Sequence, residues 1–130
     1  MTAQGSARTR FRRALRSADP LIVLQTASDV DQLQIVEVFA IVLVLASSSD
    51  PRFDAAARRL VGRVAAELEV TLSDTTAVAA ALAAVIRPRQ QPAAACRAAT
   101  LLEALGVDGA VREYQEWLAV HNPARPAPGR

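Results

Sequence analysis

Residues 34–46, QIVEVFAIVLVLA, form the most strongly apolar stretch of the chain, interrupted inside only by Glu37. A membrane-spanning helix needs about 20 apolar residues to cross about 30 Å of hydrocarbon, and 35–46 as a helix reach only about 18 Å. The stretch is therefore too short to span. It is also longer than a typical strand of about 5–6 residues, although Ile, Val and Phe leave a strand over part of it as the alternative. The flanks favour a helix. Asp31 stands three residues before Gln34, a spacing that can cap a helix start with Val30 as a hydrophobic staple, and SSSDP (47–51) supplies a polar stop. The run reads as a helix over 32–46, buried on most sides.

The same punctuation recurs. Pro20 follows Asp19, Pro51 follows Asp50 and Pro92 follows Gln91, each where proline opens a helix without losing a needed N–H. Second caps follow at 30–31, 70–71 and 107–108, and Gly106 reads as a helix stop. The spacing predicts helices over 8–17, 20–28, 32–46, 51–68, 72–86, 92–105 and 109–120. Over 51–68, Phe53, Ala56, Ala57, Leu60, Val61, Val64, Ala65 and Leu68 share one face. The segment 72–86 is so uniformly apolar after its first turn that it reads as an interior helix. The expected fold is all-α: a compact bundle of about six to seven helices arranged as consecutive helical hairpins, with a short solenoid-like stack as the second choice. Unequal spacing of the prolines argues against a true repeat array. The domain reading is a flexible N-terminus (1–7), a single helical domain (8–120) and a Pro-rich flexible tail (121–130).

Charge is distributed unevenly. All 15 basic residues are arginine, and Arg8, Arg10, Arg12, Arg13 and Arg16 crowd the first 16 residues without an acid. Residues 17–120 hold eight arginines against 13 acids. The basic start can neutralise phosphates in a salt-sensitive, sequence-independent way, which makes these five arginines candidate nucleic-acid contacts. Ala7, Phe11, Ala14, Leu15 and Ala18 share a helical face there, so docking on the acidic body is the preferred reading, and it is compatible with nucleic-acid contact. A helix-turn-helix is not expected, because 72–86 lacks a basic residue before its end and 109–120 has only Arg112. Arg58, Arg59, Arg63 and the loop RPRQQP (87–92) could form a second basic patch. The apolar run LIVL (21–24) stops too soon for a secretory signal, and the acid-free start mimics an organelle transit peptide only superficially. A cytoplasmic protein is expected.

The residues needed for chemistry are scarce. Cys96 is the only cysteine and His121 the only histidine. No intramolecular disulfide or multi-cysteine metal site can form, and no base is evident beside a nucleophile. Cys96 is expected to be a small buried hydrophobe. The carboxylate pairs Asp29/Asp31, Glu67/Glu69 and Glu113/Glu116 lack calcium-loop or Glu-x-x-His spacing, and the five glycines form no phosphate loop. No metal, cofactor, small-molecule substrate or enzymatic activity is expected. Glu37 needs either an Arg partner from the first helix or a place at the exposed edge of its own helix, and the edge is the preferred expectation.

In 109–120, Val111, Tyr114 and Leu118 share a face with Ala110 and Trp117 beside it. Tyr114, Trp117 and Leu118 are the candidate contacts for a protein partner or self-association, because aromatic anchors often sit at interfaces. Closure of the end of the core by Tyr114 and Trp117 is the preferred alternative.

At FRRALRSADPLIVLQTASDV, then DQLQIVEVFAIVLVLA and LEVTLSDTTAVAAALAAV, the chain resembles a set of small uncharacterised helical proteins of high-GC bacteria. The resemblance covers roughly residues 11–86 and consists of a basic first helix before apolar hairpins. It implies an all-helical fold and transfers no functional residue. The sequence thus points to a non-catalytic protein-interaction or regulatory module, with a nucleic-acid-binding accessory protein as the alternative.

Overall fold

The structure, a computed structural model, describes residues 3–121. Seven helices follow one another: α1 (Ala3–Ser17), α2 (Pro20–Ser28), α3 (Ile35–Ser47), α4 (Phe53–Glu67), α5 (Leu72–Val85), α6 (Gln91–Ala104) and α7 (Ala110–His121), with no strand among the described residues. The expected tail, apart from His121, lies outside those residues. Of the segment expected to be a flexible N-terminus, Ala3–Ala7 belong to α1, and Ala7 is buried.

Several helix ends follow from the residues that mark them. Asp19 Oδ1 accepts from Leu21 N–H at 2.9 Å, with Pro20 leading α2. Thr71 and Asp74 exchange hydrogen bonds at 3.0 Å in a capping box at the start of α5. At the end of α6, Val107 N–H donates to Leu102 O and Gly106 N–H to Glu103 O, with Gly106 at φ 107°, which is a Schellman stop. Ser49, at φ 50°, closes α3 in the same way: Asp50 N–H donates to Leu45 O and Ser49 N–H to Ala46 O.

The start of α3 corrects the expected cap. Asp31 does not cap it; Gln34 does, and its N–H donates to Glu37 Oε1 at 2.7 Å. The physical reason lies outside the segment. Arg8 donates to Gln32 O and Arg63 to Leu33 O, holding those carbonyls in a loop instead of releasing them to a helical turn.

From Glu37 to Ala46 every residue of α3 is buried. The helix is surrounded, packing against α1, α2, α4, α6 and α7, while α5 lies outside it against α4 and α6. Consecutive helices pack as hairpins. Because α3 touches both α1 and α7, the hairpins close into a bundle and do not run out as a stack.

Two burial expectations are corrected. Helix α5 is not interior: Val78, Ala81, Leu82 and Val85 are buried, while Ala80 and Ala83 face solvent. Alanine's small apolar surface makes an outward position cost little, so composition hid an ordinary amphipathic stripe. Cys96 is exposed on α6, where Ala94, Ala95, Ala98, Ala99 and Leu102 take the inner face.

Candidate functional site

The five N-terminal arginines do not act as one surface. Ala7, Phe11 and Ala14 are buried and seat α1 on the body, with Leu15 partly covered. This stripe fixes where each guanidinium points. Arg8 faces inward and grips Glu37 with Nε at 2.9 Å from Oε2 and Nη2 at 3.0 Å from Oε1. Arg12 lies 3.9 Å from the same carboxylate and forms a short ion pair with Glu113 of α7. Arg10 stands 3.9 Å from Asp29 with both side chains exposed. Arg13 and Arg16 are exposed and have no ion pair among the described residues.

Glu37 is wholly buried, which overturns the exposed-edge expectation and leaves the alternative of an Arg partner from the first helix. Burial pushes its carboxyl pKa up, but the Arg8 hydrogen bonds, the Gln34 N–H and the charges of Arg8 and Arg12 outweigh that, so it lies below the ordinary glutamate range. Glu113 goes the other way. Burial dominates there, and Arg12 only partly offsets it, so the carboxyl lies above its ordinary range. The acid–arginine chain Glu37, Arg8, Arg12, Glu113 therefore ties α1 to α3 and α7.

The expected second basic patch is broken up. Arg63 turns in to Glu67 and the Leu33 carbonyl, and Arg58 pairs with Asp54 one turn away.

On α7, Trp117 is buried, while Tyr114 and Leu118 are half-buried against the core. The Trp117 ring lies 6.3 Å from Tyr114 and stacks on His121 at 5.6 Å. His121, placed by sequence in the tail, is the last residue of α7, and its Nδ1 meets Trp117 O at 2.9 Å. Trp117 Nε1 and His121 Nε2 are buried and have no hydrogen-bond partner among the described residues.

Two concavities stand out. A cavity of about 300 Å³ between α1 and α7 is lined by Leu15, Ala40, Val44 and Trp117, with Arg12, Arg16, Glu113 and Glu116 among its polar residues. A groove of about 480 Å³ runs between α2 and α4 over α3. Its floor is Val38, Ile41 and Leu45; Leu24 and Ala27 wall one side, Ala55 and Ala56 the other, with Arg52 and Arg59 on the α4 side and Asp31 also in the lining. Leu21, one turn before Leu24, is 55% exposed and its neighbour Ile22 is 42% exposed. Sequence reasoning missed this groove, because α2 and α4 are remote in the chain and their walls are unremarkable alanines and leucines. Leu21 and Ile22 in LIVL were the available signal.

Among the described residues no group of three or more His, Cys, Asp or Glu side chains is placed to hold a metal, and no helix is long and apolar enough to cross a membrane. No protein-family model matches the chain, and no curated protein or solved structure matches it either.

Proposed function

We propose that this protein is a non-catalytic, cytoplasmic protein-interaction module, and that its partner lays an amphipathic helix bearing acidic residues into the groove between α2 and α4. The observation that carries this reading is an apolar groove continued by exposed Leu21 and edged on the α4 side by Arg52 and Arg59, with Asp31 the one acid in its lining among the described residues. Helix-in-groove recognition uses such a trough, in which apolar anchors seat on the floor and charges at the rim set orientation. Ala27, Ala55 and Ala56 keep the walls low, so a partner backbone can approach closely. Arg52 is already paired with Asp50, whereas Arg59 has no ion pair among the described residues, so an acidic partner side chain belongs beside Arg59. Tyr114, Trp117 and Leu118, the contacts suggested by sequence, support this reading less, because Trp117 is spent on the core.

A photo-activatable cross-linker at Leu21 or Ala55 in the source cells is expected to trap one discrete polypeptide. The same cross-linker at Arg97, exposed on α6, should not, and Arg59→Glu should abolish the adduct at both groove positions. Equal adducts at all three positions, or an adduct indifferent to Arg59→Glu, would remove the groove from the reading. The alternative, nucleic-acid binding, rests on Arg10, Arg13 and Arg16, since Arg8 and Arg12 are engaged with carboxylates. It calls for binding that falls steeply with salt and is lost when those three become Gln.

A further inference from the structure

Among the described residues, the cavity between α1 and α7 has an unpaired cation at its rim and two unpaired ring nitrogens, Trp117 Nε1 and His121 Nε2, buried in its wall. Glu113 is held by Arg12, and Glu116 by Arg112 at 3.4 Å. Both carboxylates that line the cavity therefore have a cation already. Arg16, at its rim, has none among the described residues. The indole of Trp117, more than nine-tenths buried in the cavity wall, keeps an Nε1–H donor with no acceptor. A buried polar group left unpaired in this way is uncommon. The two ring nitrogens are one donor, Trp117 Nε1, and, with Nδ1 on the Trp117 carbonyl, the acceptor nitrogen of the neutral His121 ring, so they favour neither sign of charge. The Arg16 guanidinium is a charged donor, and what fits it is an acceptor carrying negative charge. The rest of the lining, Leu15, Ala40, Val44, Trp117 and Val120, is apolar. The cavity volume of about 300 Å³ lies at the small end of ligand sites, which run from about 300 to 1,000 Å³.

From these residues we infer that the α1–α7 cavity binds a small monocarboxylate with an apolar body. The carboxylate sits at Arg16, and the hydrocarbon or aromatic part lies against Trp117, Val44 and Leu15. The site is separate from the groove between α2 and α4, and the inference does not rest on the interaction reading. It departs from the sequence expectation of no small-molecule ligand.

The protein's single tryptophan forms the cavity wall and serves as the reporter. Titration with octanoate and with phenylacetate is expected to change Trp117 emission saturably for at least one of them, with a Kd below the millimolar range. Arg16→Gln, at an exposed position that leaves the fold intact by circular dichroism, should weaken that binding at least tenfold. Ala119→Phe, which adds a ring at another exposed lining residue, should block it. Because Arg16 also stands in the last turn of α1, where carbonyl ends favour cations, octylammonium and octanol are titrated alongside. The inference is overturned if neither carboxylate gives a saturable change, if octylammonium or octanol binds as tightly as octanoate, or if Arg16→Gln leaves the affinity unchanged.

Discussion

Glu37 decides more than any other single residue. It occupies a position where an apolar side chain would fit the pattern on either side, and it is tolerated because Arg8 meets it with two hydrogen bonds and Gln34 N–H with a third. Breaking such a pair from one side leaves an uncompensated buried charge, whereas replacing both partners does not. Arg8→Ala is expected to cost about 2–4 kcal/mol in urea denaturation, somewhat less than for a fully enclosed pair because Arg8 is 38% exposed and Arg12 remains near. The double change Arg8→Met with Glu37→Met should recover most of that loss. If it instead matches the single variant, the pair contributes net stability. The pH dependence has two opposing parts. Glu37, lowered from the ordinary 4.5, contributes stability that is complete above that value and is lost as pH falls through its folded pKa. Glu113, raised from 4.5, contributes stability that is complete below that value and is lost as pH rises through its folded pKa. Glu37→Gln should therefore flatten the acid limb of stability, and Glu113→Gln the limb above pH 4.5, in denaturation series across pH.

At the scale of the element, the two Schellman ends offer a matched test. Gly106, at φ 107°, adopts a backbone that side chains rarely take, so Gly106→Ala should cost about 1 kcal/mol or more. Ser49 holds a left-handed conformation that glycine adopts without strain, so Ser49→Gly should gain up to about 1 kcal/mol. Thermal denaturation reads both, and a shift of the same sign in the two variants would contradict the motif assignment. Helix α6 supplies a second test, because Cys96 faces solvent. A thiol reagent should modify it in the native protein at a rate that mild denaturant does not raise. These elements also mark the limit of sequence reading. The stop at Gly106 and the start at Thr71 were legible because the capping residue and its partners lie within a few positions. The start of α3 was not, because Arg8 and Arg63 set it from about 25 and 30 residues away.

For the whole molecule, the central position of α3 couples nearly everything else. It packs against α1, α2, α4, α6 and α7, so none of these helices can leave without exposing part of the stretch 37–46. Unfolding followed by Trp117 emission, which reports α7, should coincide with unfolding followed by far-ultraviolet circular dichroism, which reports all helices. Separate midpoints would mean that α7 opens on its own. The sequence by itself determined the helical class, most helix positions and the burial of 38–46, because spacing, caps and prolines act within one or two turns. It also limited Glu37 to two environments. Only the tertiary structure chose between them, turned Arg8 and Arg12 inward, left Cys96 in solvent, and joined remote walls into the α2–α4 groove and the α1–α7 cavity. Those outcomes depend on which helix faces meet across long stretches of chain, and a side chain's neighbours across such a contact leave no local periodic trace.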